Sequence, residues 1–225
     1  MKAVRIVIIA KAPLAGFAKT RLIPALGSQG AAALARRLLA HTLSCALDAR
    51  LGQVELCVTP SALDTVWQTL PVSEDMRAAL HWSEQGEGDL GVRLVRAAQR
   101  TIEGGESVLL IGTDCPALGA TELQQAALAL QSADATLFPT ADGGYALLGL
   151  KRFHPSLFEG IAWSTDSVAF ETLCRIARLG WSVQSHPMLH DIDEPADLKW
   201  LPQDWLEENP AWQLAEDRTP LARSV

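Results

Sequence analysis

Lys11, Lys19 and Arg21 place three cations in a short stretch that directly follows the apolar run at residues 4–10, with Pro13 and Gly16 between them. Several fixed cations and backbone N–H groups at the carboxyl end of a strand are what a phosphate-bearing ligand requires. A solvated loop whose charges only aid solubility is the structural alternative. Charge distribution favours the anion site. Residues 1–50 hold eight Lys or Arg and one acid, Asp48, a balance of +7; the whole chain is −7, which leaves −14 for residues 51–225. The loop is not a Walker A motif, because Phe17 and Ala18 separate Gly16 from Lys19.

Carboxylates supply the second kind of chemistry. Asp114 follows the apolar run 108–111 inside Gly112-Thr113-Asp114-Cys115-Pro116, so it sits at the end of a predicted strand, where a carboxylate can hold Mg²⁺ or Mn²⁺. It reads equally as a helix cap or Asx-turn before Pro116. In Glu87-Gly88-Asp89-Leu90-Gly91 the small residues allow close backbone approach to a ligand, while Asp89 suits a helix cap. Asp142-Gly143-Gly144-Tyr145 forms either a tight turn or a wall that a sugar or acceptor can touch. Trp163-Ser164-Thr165 and His190-Asp191-Ile192-Asp193 come later. If the latter stretch is extended, Asp191 and Asp193 share a side and could complete a metal site, or could cap a helix starting near Pro195.

These residues need a scaffold of strands and helices. Strand-like runs fall at residues 4–10, 54–59, 108–112, 135–139 and 145–150, with weaker candidates at 80–83 and 182–187. Helical patterns fall at 29–49, 61–70, 89–103, 121–131 and 167–179. Strands alternating with helices predict an α/β protein with a mainly parallel sheet covered on both faces, loosening into a hairpin or mixed-sheet region from Ala141. With 225 residues and 48% apolar side chains, the reading is one domain over residues 1–201 and a C-terminal appendage over 202–225, rich in Trp, Pro and acids.

Bulk properties exclude several function classes. A net charge of −7 argues against a nucleic-acid backbone as partner and leaves small anionic ligands open. Cys45, Cys57, Cys115 and Cys174 form no CxxC pair, so neither zinc nor a disulfide framework is indicated. His41 sits on an apolar helical face and reads as a core histidine, and no HExxH or GxSxG pattern occurs. Residues 1–10 are too short for a secretory segment and no run of 18 apolar residues exists, so a soluble cytoplasmic protein is expected.

Taken together, Lys11-Ala12-Pro13 with Lys19-Thr20-Arg21-Leu22, Gly86-Glu87-Gly88-Asp89-Leu90-Gly91, Gly112 to Pro116, Asp142 to Tyr145, Trp163 to Thr165 and Asp191-Ile192-Asp193 resemble one family, in order, over residues 4–200. It is the bacterial DUF2064 group, also described as radical-SAM/selenodomain-associated or arsenosugar-biosynthesis glycosyltransferases. That group is similar to the GT-A nucleotide-diphospho-sugar transferase fold, and more distantly to 2-phospho-lactate and molybdenum-cofactor guanylyltransferases. The resemblance implies that Lys11, Gly16, Lys19, Arg21, Gly88 and Asp89 bind the nucleotide phosphates. It further implies that Asp114, with Asp191 or Asp193, holds Mg²⁺ or Mn²⁺, and that Gly143, Gly144, Tyr145, Trp163, Ser164 and Thr165 line the sugar or acceptor pocket. Many GT-A enzymes carry an Asp-x-Asp metal motif, whereas here Thr113 and Cys115 flank Asp114. A metal site would therefore have to recruit a distant carboxylate, be weak or be absent. The expected activity is metal-assisted transfer of a sugar from a nucleotide-sugar to a small acceptor, with Asp142 or Asp191 as general base. Nucleotidyl transfer from a nucleoside triphosphate, and nucleotide binding without turnover, are the alternatives, and a homodimer is left open.

Overall fold

The structure is a computed structural model and describes residues 2–70 and 72–213. Seven strands form one sheet in the order β3-β2-β1-β4-β6-β5-β7: β1 (Val4–Lys11), β2 (Val54–Thr59), β3 (Leu80–Glu84), β4 (Ser107–Ile111), β5 (Ala135–Pro139), β6 (Tyr145–Leu150) and β7 (Val183–Ser185). Strand β6 alone runs antiparallel to its neighbours β4 and β5. The remaining pairings are parallel. The α/β class with a mainly parallel, locally mixed sheet is therefore as the alternation of elements predicts.

Side-chain alternation explains why both faces of this sheet are covered. Ile6, Ile8, Leu109 and Ile111 point into one core with Leu39 and Leu43 of α1 (Ile23–Asp48) and Leu123 of α4 (Ala120–Ser132). Val7, Val108 and Leu110 point the other way, onto Leu94 of α3 (Leu90–Glu103) and Ile176 of α5 (Val168–Arg178). A third cluster joins Leu34 and Leu38 of α1 to Trp205 of α6 (Gln203–Glu208) and to Trp212. The described part of the tail thus packs on α1, and residues 214–225 of the predicted appendage lie outside the described residues. Among the described residues, no helix is long and apolar enough to cross a membrane.

Several local expectations change. The helix predicted at 61–70 is only a 3₁₀ turn, Thr65–Thr69, because the Asp64 carboxylate accepts the Val66 N–H at 2.9 Å and starts the turn late. A short helix absent from the sequence reading, α2 (Glu74–Ala79), is capped by Ser73 Oγ accepting the Met76 N–H at 3.1 Å. The helix expected at 29–49 is present, but α1 gains an earlier turn at 23–26 that Gly27, with a φ of 69°, breaks from the rest. The predicted strand at 182–187 contracts to the three residues of β7.

Chain order fixes where a ligand can sit. From β1 the chain builds outward through β2 and β3, then returns to place β4 on the other side of β1. Adjacent loops after β1 and β4 therefore diverge, opening a crevice at the carboxyl ends of these strands.

Candidate functional site

The loop after β1 and the loop after β4 face each other across that crevice. Lys19 is the joint. Its ammonium donates to Asp193 Oδ1 at 2.7 Å and pairs with Asp114, and its side chain is only 7% exposed. Burial alone would lower the Lys19 pKa, but the two carboxylates outweigh it and raise it above its ordinary value. Lys19 also holds a left-handed backbone, φ 50° and ψ 44°, which costs a non-glycine residue roughly 1 kcal/mol. Among the described residues only Lys19, Arg50 and Ser164 combine a side chain with positive φ, and two of these three line the crevice.

Two cavities, each of about 280 Å³, meet at Ile9 and Asp114. The first is cationic, lined by Lys11, Lys19 and Arg21 together with Thr113 and Phe17. Lys11 Nζ lies 4.0 Å from the centre of the half-exposed Phe17 ring, a cation–π contact that holds the ammonium at the rim. Gly16 shapes this loop through a φ of 76° but does not itself line the cavity.

The second cavity is acidic on one side and apolar on the other. Asp114, Asp142 and Asp191 face Leu90, Leu94 and Trp163, with Ser164, Thr165 and Gly144 at the margin. Asp142 is fixed in the β5–β6 turn, its Oδ1 accepting from Thr140 Oγ1 at 2.6 Å and the Gly144 N–H at 2.9 Å. Asp191 accepts no hydrogen bond from another side chain among the described residues. Burial, reinforced by Asp142 and Asp193, pushes its carboxyl up to about 6. Burial likewise pushes the Cys115 thiol up to about 11, so it stays protonated.

Several predicted site residues stand elsewhere. Gly88 and Asp89 line neither cavity: Asp89 caps α3 by accepting the Val92 N–H at 2.9 Å, and the Gly88 carbonyl accepts from Arg93 Nε at 2.9 Å. Gly143 packs outward against the segment leading into α5, where a Cβ would come within 2.0 Å of the Asp166 carbonyl. Tyr145 lines the second cavity with its ring, but its hydroxyl is fully buried and unpartnered, like the Thr172 hydroxyl. Asp193 does not cap the turn at Pro195–Trp200. That work falls to Asp197, which accepts the Glu194 N–H at 2.7 Å and leaves Asp193 for Lys19.

Two of the three carboxylates expected to hold a metal are taken by a cation. Asp114 and Asp193 converge on the Lys19 ammonium, and among the described residues no group of three or more His, Cys, Asp or Glu is arranged to hold a metal ion. Two carboxylates with substrate phosphates and water match the usual demands of Mg²⁺, so Asp114 and Asp193 fit such an ion by donor type, with the Lys19 ammonium now between them. Phe17, Thr140 and Leu94 line the cavities without having been singled out in the sequence, and Leu90 lines the second from within the Gly86–Gly91 motif. Only Phe17, a lone aromatic between cations, carried a signal in the sequence.

A seven-stranded, mainly parallel sheet with helices on both faces and a crevice between the loops after β1 and β4 is of the nucleotide-diphospho-sugar transferase, or GT-A, class of fold. Within it, this chain belongs to the DUF2064 family, "Uncharacterized protein conserved in bacteria", whose model matches residues 42–165. The chain is 28% identical to a candidate nucleotide-diphospho-sugar transferase from Desulfovibrio desulfuricans G20, with a TM-score of 0.83 and coverage of 94% of this chain and 97% of that one. A cytidylyltransferase from Leptospira borgpetersenii is 14% identical with a TM-score of 0.54, covering 94% and 97%. Rv0371c of Mycobacterium tuberculosis, solved with manganese, is 16% identical with a TM-score of 0.52, covering 89% and 98%. These last two likenesses concern the fold. A search of curated proteins finds no match.

Proposed function

We propose that this chain is a nucleotide-utilising transferase, and within that class one that moves a sugar from a nucleoside diphosphate to a hydroxyl. The observation that carries the reading is the meeting of a cationic and an acidic cavity at Asp114. Lys11, Lys19 and Arg21 suit a diphosphate, whose departure is the charge-developing event of glycosyl transfer. The acceptor oxygen bonds the anomeric carbon, the bond from that carbon to the phosphate oxygen breaks, and the diphosphate leaves with the electron pair. The acceptor proton passes to a carboxylate of the second cavity. Asp191 suits this role because no other side chain occupies its oxygens and its carboxyl is tuned toward neutrality, whereas Asp142 is tied into its turn. A divalent ion arriving with the nucleotide would be held by Asp114 and Asp193 and would add positive charge beside the leaving diphosphate.

When nucleotide binding frees Lys19 from Asp114 and Asp193, its ammonium reaches the phosphates and relaxes the pairing that holds it now. Incubation with radiolabelled nucleotide-sugars and nucleoside triphosphates, followed by product separation, tests the reaction. A nucleoside diphosphate product supports sugar transfer. Pyrophosphate release assigns nucleotidyl transfer instead, and tight binding of either donor without any product assigns a non-catalytic role.

A further inference from the structure

We infer that the acceptor is a hydroxyl compound with one apolar face and no phosphate or carboxylate, either neutral or bearing an amine. The inference rests on the division of labour between the two cavities proposed above and concerns the second one. Three carboxylates, Asp114, Asp142 and Asp191, face that space, and among the described residues no Lys, Arg or His lines it. Asp114 is paired with Lys19, but an anionic acceptor would enter against Asp142 and Asp191, which no side-chain cation pairs among the described residues, with no Lys, Arg or His lining the space to offset its lost hydration. Neighbouring cations are already engaged. Lys19 lines the first cavity and not this one, held by Asp114 and Asp193 now and by the phosphates in the reading above, Arg93 donates to Gln85 Oε1 and the Gly88 carbonyl, and Arg96 to the carbonyls of Gln85 and Glu87.

The remaining walls select for shape. Leu90, Leu94, Trp163 and Val168 form an apolar side that an acceptor must cover, and Leu90 is 42% exposed without one. Opposite, the Thr140 and Gly144 donors both bind Asp142 Oδ1, which leaves Oδ2 to accept from a hydroxyl or ammonium. A nucleotidyl transferase with a phosphate acceptor would need a cation here.

Matched probes test this on the full chain: benzyl alcohol, benzylamine and benzyl phosphate, titrated at pH 8 with EDTA. The readout is the Trp163 indole N–H resonance, assigned by its loss in Trp163→Phe. Benzylamine and benzyl alcohol are expected to shift it, with benzyl phosphate at least about tenfold weaker. In Asp142→Asn the amine should lose several-fold in affinity while the alcohol holds. Benzyl phosphate binding as well as the alcohol overturns the inference, and so does failure of all three to bind. Titration of nucleoside diphosphates into the same sample reads the first cavity separately, so a failure there counts against the transferase reading and not against the acceptor class.

Discussion

At the scale of single residues, the site is a set of charges that the fold holds in tension. Lys19 keeps a left-handed backbone while its ammonium is nearly buried between two carboxylates, and Asp191 keeps a carboxyl that burial and its acidic neighbours make reluctant to ionise. Such strain is tolerated where it serves ligand binding, and it has a sign that can be measured. A free Asp titrates near 3.9, whereas Asp191 titrates at about 6 in the fold, so between those values the folded state holds more protons than the unfolded one. Stability attributable to this group therefore falls as pH rises through the window. Asp191→Asn is expected to raise the Tm at pH 7.5 and to change it little at pH 4, in EDTA. A variant that lowers the Tm at pH 7.5 contradicts the assignment. The pairing of Lys19 with Asp193 spans 174 positions, which is why no local pattern announced it. Each partner stands out in the sequence as a candidate, but the ion pair between them does not.

At the scale of elements, the β5–β6 turn connects the second cavity to α5. Its fit depends on Gly143, with φ 89°, whose carbonyl accepts the Ala169 N–H at 2.8 Å and whose α-carbon packs under the Asp166 backbone. Gly143→Ala adds a Cβ that would stand 2.0 Å from the Asp166 carbonyl. The expected cost is about 2–3 kcal/mol of stability by urea unfolding, because strain at positive φ adds to the clash. An unfolding midpoint equal to that of the parent protein would mean the turn is free to move. Buried strands are the most legible elements: β2, β5 and β6 match their predicted bounds because apolar side chains dominate them between flanking turn residues, even though β2 buries Glu55, which Arg5, Ser83 and Arg100 bond. Helices α3, α4 and α5 came within a residue or two, since their apolar stripes and flanking turns are local signals. The segment 61–79 was misread because it buries few side chains apart from Trp67 and Leu70, so capping by Asp64 and Ser73 decides its shape rather than periodicity.

At the scale of the whole molecule, charge and topology coincide. The basic first 50 residues form β1, its loop and α1, and the acidic remainder closes over the crevice from β4 onward. The tail contributes through α1: Trp205 is 6% exposed, sits edge-on to His41 at 5.3 Å and lies under Arg37 at 4.6 Å, while His41 Nε2 bonds the Pro116 carbonyl at 2.9 Å behind Asp114. Trp205→Ala is expected to cost about 3 kcal/mol in chemical unfolding, as loss of a buried aromatic does. Loss well under 1 kcal/mol would show that the packing of Trp205 on α1 adds little to the fold. In the proposed function the loop from Lys11 to Arg21 clamps a nucleoside diphosphate in the crevice. Calorimetric titration of nucleoside diphosphates into the parent protein, Lys11→Ala, Lys19→Ala and Arg21→Ala tests it most directly. The nucleoside diphosphate that binds best is expected to lose about 1.5–3 kcal/mol of affinity in each variant that removes a charge-assisted phosphate contact. Unchanged affinity across all three variants would contradict it.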